Sequence, residues 1–381
     1  MSKLTLRMIE RLSEVDREAW DAVANPDGAP YDPFLSWDFL DALETSGAAV
    51  EETGWAPRHL LVETAGGGLI GALPLYLKGH SYGEYVFDHA WANALERAGG
   101  RYYPKLVTAV PFTPATGRRV LAADPHVAAL LIDAARQAAR DMQASSWHVL
   151  FPLDSDLEML KEKGLLHRYD VQYVFETAGY RDYEDFLAAL SARKRKALRK
   201  ERKIAQENVD IEQLSGSALT HAHWEVFYAC YQDTGARKWG APYLNRETFA
   251  LIHERMADKV LLVLARREGR YVASALNFIG SDTLFGRYWG CLEDHDSLHF
   301  ELCYHQAVDY ALAHRLSRVE AGAQGAHKLA RGYRPALVRS AHDVVHPGLR
   351  DAVADFLAQE RPAVEAERLA MEAETPYKKE P

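Results

Sequence analysis

Proton transfer needs a carboxylate or imidazole within reach, and a developing negative charge needs a cation or N–H group facing it. This chain has candidates for each. Asp88 and His89 stand in an aromatic-rich segment, and Glu320 and His327 in a late one; a carboxylate or imidazole there can take the proton. Tyr103 and Lys105 can hold an anionic substrate in the first half. The structural alternatives are a loop cap for Asp88 and a surface histidine for His327.

The densest local signal is the run RKRKALRKERK from Arg193 to Lys203. Eight of its eleven residues are Lys or Arg, in a chain of formal net charge -9. On a helix these side chains cover most of the circumference, so no single seam explains them. Like charges this dense repel and call for an anionic partner, either an RNA backbone or a diphosphate-linked substrate. A solvated helix pairing with Glu201, Glu207 and other surface acids is the alternative. A second phosphate candidate is the loop Pro111 to Arg119, where Gly117, Arg118 and Arg119 precede a helical stretch. A plain surface turn explains that loop equally well.

Other chemistries find no motif. His221/His223 and His342/His346 are the close histidine pairs, and neither brings the Glu of a zinc-hydrolase motif, so no metal is expected. Gly-x-Ser-x-Gly and P-loop patterns do not occur. Cys230, Cys291 and Cys303 lack metal-ligand spacing, and three argue against a disulfide framework. A reducing cytoplasmic setting is expected. There is no run of ~18 apolar residues and no apolar leader, so neither a membrane span nor a signal peptide is expected.

The elements that must hold these residues can be read from periodicity. In the first half, Leu12 to Leu43 reads as two helical pieces. His59 to Glu63 and Gly68 to Leu77 read as a glycine-turned hairpin, and Lys105 to Val110 as a strand. His126 to Met142 reads as a helix begun by Asp124-Pro125, and Trp147 to Phe151 as a strand. In the second half, Tyr183 to Gln206, Thr220 to Asp233 and Arg246 to Ala257 read as helices. Val260 to Ala265, Tyr271 to Ile279 and Leu284 to Cys291 form a meander. A helix from Glu301 to Leu316 and a strand from Arg318 to Ala321 follow. Leu349 to Ala373 reads as a charged helix interrupted by Pro362. With 381 residues and 48% hydrophobic content, two mixed α/β domains are expected: 1–170, 171–345 including the basic helix 191–206, and a tail helix over 346–381.

The block from Val260 to Gln324 resembles the core of the GNAT acyltransferase fold. That fold's pyrophosphate loop carries a Gln/Arg-x-x-Gly-x-Gly/Ala pattern, whereas the matching Glu293 to His299 here is acidic and has no glycine. HSYGEYVFDHAWANALERAGGRYYPKLVTAVPFTPATGRRVL (His80 to Leu121), SARKRKALRKERK (Ser191 to Lys203) and EAGAQGAHKLARGYRP (Glu320 to Pro335) extend the likeness. With them the chain resembles the FemAB-like "peptidoglycan biosynthesis/recognition" proteins, relatives of the Fem aminoacyl-tRNA-dependent peptidoglycan aminoacyltransferases. The resemblance implies two tandem GNAT-like domains. It implies a diphosphate-linked muropeptide, UDP- or lipid-borne, met by Arg195 and Arg199, and a late lysine assisting transfer near Lys328 or Arg331. It also implies a C-terminal segment folded onto the first domain. The Fem pattern of an aromatic-Lys pair before Gly-Phe is not kept; Leu329-Ala330-Arg331-Gly332-Tyr333 stands there. The expected function is aminoacyl transfer from tRNA with no permanently bound cofactor. Two alternatives are an acetyl-CoA-type N-acetyltransferase using the Gly117 loop, and a non-catalytic muropeptide- or RNA-binding protein.

Overall fold

The computed structural model describes residues 3–237, 242–323 and 325–378. The chain forms two compact units, Met1–Asp170 with Leu337–Ala366 and Val171–Ala336 with Glu367–Pro381.

The first unit begins with β1 (Leu4–Ile9), α1 (Arg17–Ala24) and α2 (Trp37–Thr45), then β2 (Trp55–Pro57), β3 (His59–Thr64), β4 (Leu69–Leu73) and β5 (Tyr76–Lys78). Next come α3 (His89–Arg97), β6 (Lys105–Thr108), β7 (Leu121–Ala122), α4 (Pro125–Asp141), β8 (Ser146–Leu150), α5 (Asp154–Glu162) and the first half of β9 (Leu166–Glu176). Pro74 lies between β4 and β5, which divides the apolar run Gly68 to Leu77 between two sheets. β1, β3, β4 and β7 form one antiparallel sheet; β2, β5, β6 and β8 belong to a second. α4 starts as the sequence suggests: Asp124 accepts the His126 N–H at 2.8 Å and Pro125 occupies the first turn. Its buried stripe, Val127, Leu131, Ile132 and Ala135, packs with Leu60, Val62, Leu106 and Trp147. α4 connects β6 to β8, which pair in parallel with Leu106 opposite Trp147.

The second unit contains α6 (Tyr183–Ala189), α7 (Ala192–Ala205), β10 (Asp210–Leu214), α8 (His221–Arg237), α9 (Arg246–Met256) and the antiparallel β11 (Val260–Arg267), β12 (Arg270–Ile279) and β13 (Thr283–Cys291). α10 (Leu298–Phe300) runs through a π turn, Glu301–His305, into α11 (Gln306–Ala313). β14 (Arg318–Glu320) then lies parallel to β13, Thr283 opposite Arg318. A 3-10 turn, Ala326–Arg331, precedes β15 (Arg334–Val344) and α12 (Pro347–Ala373). Meander, helix and parallel strand thus recur in both units, and the protein is a pair of tandem GNAT-like domains in a mixed α/β fold.

The unit division differs from the sequence reading after residue 336. Ser340 to Val344 pair with β8, and Leu349, Val353 and Leu357 of α12 pack with Trp91, Leu95 and Tyr102, so Leu337–Ala366 belongs to the first unit. Residues from Glu367 on belong to the second, where the Ser191 N–H donates to the Pro376 carbonyl and the Tyr377 hydroxyl to that of Gly332. The single helix read over Tyr183 to Gln206 is two, because Leu190 and Ser191 are extended and Ser191 stands before α7.

Candidate functional site

In the second unit, the 3-10 turn brings His327, Lys328 and Arg331 together. Gly325 and Gly332 bracket it at φ +100° and +87°, where L residues are strained. A Cβ at Gly325 would collide with the His327 ring, and one at Gly332 with the Phe186 ring.

Lys328 is 3% exposed. Its Nζ donates to the carbonyls of Gly322 (3.1 Å) and Ala323 (2.9 Å) and lies 5.2 Å from the Tyr173 ring centroid. No carboxylate pairs with it among the described residues. Burial pulls its pKa down to about 8. His327 is exposed and shares a 3.0 Å hydrogen bond with the Tyr304 hydroxyl. Desolvation, then the charges of Arg331 and Lys328, lower its pKa, so the imidazole is neutral at pH 7.

Arg331 is committed elsewhere. Its Nε and Nη2 donate to Glu201 of α7 at 2.9 and 2.5 Å, and its Nη1 donates to the His327 carbonyl at 2.6 Å. The guanidinium lies 3.3 Å from the Phe300 ring centroid. Glu201 also bonds His305 at 2.8 Å, and His305 bonds the Tyr183 hydroxyl at 2.7 Å. The π turn, which widens the helix locally, carries both Tyr304 and His305. Glu320 ends β14 opposite Val174, 4.0 Å from Arg318.

α7 has a seam after all. Leu198 and Ala205 are buried, Glu201 faces Arg331, and Arg202 pairs with Glu301 (2.9 Å) and Asp309 (2.6 Å). Arg193, Lys196, Lys200 and Lys203, at intervals of three, four and three, are exposed and make no ion pair among the described residues. They form one row about 15 Å long. Arg195 is half-buried without an ion pair among the described residues, and Arg199 pairs with Glu184.

The first unit buries a second set of charges. Lys105 Nζ donates to Asp88, to Glu84 at 2.7 Å and to Ser81 at 2.8 Å. Ser81 also bonds the Tyr103 hydroxyl at 2.8 Å, so three residues singled out from sequence, Asp88, Tyr103 and Lys105, share one network. Asp88 precedes α3 but makes no side-chain cap; its Oδ2 accepts the Tyr102 hydroxyl at 2.7 Å. Although burial opposes ionisation, Lys105 and then His148 hold the Asp88 carboxyl well below its ordinary range. His148 and His342, opposite each other on β8 and β15, share a 2.6 Å contact between Nδ1 atoms. Burial keeps both neutral, His148 at about 3. His89 is exposed and lies outside this network.

Two members went unrecognised in the sequence. Lys78 is fully buried, 3.5 Å from the Trp55 ring centroid, and Glu84 is 3% exposed, 4.0 Å from it. Burial brings Lys78 down to about 7 and Glu84 up to about 7. A buried ionisable residue on a short strand has no sequence signature of its own; the nearby Lys105 was the available hint.

In the Gly117 loop both arginine side chains donate to backbone carbonyls. Arg118 donates to the carbonyls of Val23 (2.9 Å) and Ala24 (3.2 Å). Arg119, 1% exposed, donates to those of Leu150 (2.8 Å), Arg118 (2.8 Å) and Ala115 (2.6 Å). A Cβ at Gly117 would meet the Asp32 carboxylate. These two arginines, expected as cofactor contacts, instead tie loop carbonyls together. No cluster of metal-ligating side chains occurs among the described residues, and no described helix is long and apolar enough to cross a membrane.

Comparison with known proteins follows the same lines. Residues 11–379 match the profile of the FemAB-like family, described as peptidoglycan biosynthesis/recognition. No curated protein sequence matches the chain. Among solved structures, FemX is similar with a TM-score of 0.57 at 12% identity, covering 89% of this chain and 98% of that one. L-PGS from Bacillus licheniformis gives 0.52 at 10% identity, covering 93% and 99%. A conserved protein of unknown function from Bacteroides thetaiotaomicron gives 0.51 at 11% identity, covering 90% and 100%. At these identities the likeness is one of fold.

Proposed function

The chain belongs to the FemAB-like peptidoglycan biosynthesis/recognition family, and from that membership we propose that it transfers an aminoacyl group from aminoacyl-tRNA to an amine of a peptidoglycan-precursor-like acceptor. The observation that carries this reading is Lys328. An ammonium has three donors; two are anchored on the Gly322 and Ala323 carbonyls, and the third has no partner among the described residues. A fixed, buried N–H is what an oxyanion stabiliser requires. In the step proposed, the acceptor nitrogen attacks the ester carbonyl, the C–N bond forms, and the ester C–O bond to ribose breaks. The neutral His327 takes the amine proton and returns it to the ribose oxygen, while the Lys328 ammonium faces the oxyanion. The row on α7 receives tRNA phosphates, and the acceptor is a UDP- or lipid-linked muropeptide. The Gly117 loop, with Arg118 and Arg119 occupied, gives the acyl-CoA alternative less support.

The test supplies charged tRNA and UDP-muropeptide and follows aminoacylated product by mass. Lys328→Met should lower the rate about 10²–10³-fold, the usual loss for one oxyanion donor, and Lys328→Arg less. The wild-type rate should fall as pH rises through about 8, where Lys328 loses its charge. A Lys328→Met rate within threefold of wild type removes this assignment. Muropeptide binding without turnover would make the protein a binding module.

A further inference from the structure

We infer that Glu201 is a positioning residue that links the anion-facing row of α7 to the Lys328 turn, so that occupancy of the helix orders the turn. The inference rests on the reading of α7 as the phosphate-binding element and adds to it a device within the same unit.

One helix has two faces with different work. Its outer row, Arg193, Lys196, Lys200 and Lys203, is exposed and unpaired among the described residues. Its inner face, one residue from Lys200, presents the Glu201 carboxylate to Arg331 through two donors, at 2.9 and 2.5 Å. Arg331 closes the 3-10 turn by donating to the His327 carbonyl at 2.6 Å, within the turn that carries Lys328. A planar guanidinium gripped by both carboxylate oxygens fixes direction as well as distance, which a lysine at 331 would not do.

The turn is built to depend on that grip. Left-handed glycines, Gly325 and Gly332, stand at both of its ends. Such residues add conformational freedom in the unlatched state. α7 is seated by more than Glu201: Arg202 reaches Glu301 and Asp309, and Gln206 reaches Glu301 at 2.9 Å. The Glu201 Oε1 that accepts Arg331 Nε also bonds His305, itself bonded to Tyr183. The helix therefore keeps its position without Glu201, whereas the turn loses its bidentate partner. A polyanion that damps the motion of α7 then damps the turn, and the link is the Glu201–Arg331 pair.

The experiment is hydrogen–deuterium exchange on the full chain, with bulk tRNA at low and high salt as the probe. In the wild type, low-salt tRNA should slow exchange in α7 and, at least about fivefold, in residues 326–331; fivefold is the lower end of ordinary site-to-site coupling. Glu201→Gln should keep the protection of α7 and lose that of the turn. Arg331→Lys, which keeps the charge but not the two-pronged grip, should keep the protection of α7 and weaken that of the turn, and serves as the second variant if Glu201→Gln does not fold. A purely structural Glu201 would change the melting temperature yet leave the tRNA-dependent protection of the turn in place, and that result overturns the inference. Protection of α7 without any effect on the turn in the wild type overturns it while sparing the phosphate-binding role. No protection of α7 removes both.

Discussion

Replacing Lys105 with Met separates a structural role from a substrate-binding one. The ammonium is fully buried and donates to Asp88, Glu84 and Ser81. Its removal leaves two buried carboxylates, with the Tyr102 hydroxyl still on Asp88 and Lys78 4.0 Å from Glu84. Breaking a buried pair by deleting one partner costs about 3–5 kcal/mol. For a unit of about 200 residues, at roughly 2–4 °C per kcal/mol, the melting temperature should fall by about 6–20 °C. The loss should be larger at pH 8 than at pH 5.5, because in the wild type Glu84, raised to about 7, is ionised and paired with Lys105 at the former and already protonated at the latter. Adding Glu84→Gln should recover about 1–3 kcal/mol at pH 8, since one stranded charge is gone. The assay is urea unfolding at both pH values, with the midpoint shift converted through a constant slope. A Lys105→Met cost below about 1 kcal/mol, equal at both pH values, would refute the buried-pair argument. It would return Lys105 to the list of substrate contacts.

Three other outcomes are expected. Neutralising Arg193, Lys196, Lys200 and Lys203 one at a time to Gln should each lower the slope of log binding constant against log salt by about 0.7–0.9 for tRNA; an unchanged slope for all four would take the row out of the interface. Arg119→Met should destabilise the first unit by about 2–4 kcal/mol, since buried carbonyls lose their donor; this is read by thermal unfolding, with CoA added in parallel to see whether any affinity is lost instead. Lys78 has a folded pKa lowered from 10.5 to about 7, so the unfolded chain binds the extra proton between those values. Its contribution to stability is present above 10.5 and lost as pH falls through about 7. Lys78→Met should therefore flatten the rise in stability between pH 7 and 10, and a slope equal to wild type would contradict the burial of its charge.

How far the molecule could be read from its sequence depended on periodicity. α4 carried a helical stripe with Asp124-Pro125 at its head, and β11 to β13 were apolar runs between turn residues, so both were visible. β9 and β15 were not: their eleven residues mix polar and apolar side chains, because only part of each faces a core. The helix read through Leu190 and Ser191 failed because a good helical composition on either side hides a two-residue break. Among site residues, Asp88, Tyr103 and Lys105 could be proposed by residue type, and they do meet. The occupation of Arg118, Arg119 and Arg331 could not, because only the folded chain shows which carbonyl or carboxylate reaches a guanidinium first. Lys328 came from the family resemblance. Its isolation from any carboxylate among the described residues became apparent only from its surroundings.

The return of Leu337–Ala366 to the first unit has a consequence during synthesis. Although β1 through α5 are made first, the strand that pairs with β8 and the residues Leu349, Val353 and Leu357 arrive more than 150 residues later. At translation rates of about 5–20 residues per second, that interval lasts roughly 10–40 s. Throughout it, the open edge of β8 and the apolar side chains of Trp91, Leu95 and Tyr102 lack their partners on the nascent chain. The first unit thus cannot complete its core until Val171–Ala336 of the second has been made, and a chain arrested before residue 337 leaves that edge and those side chains uncovered.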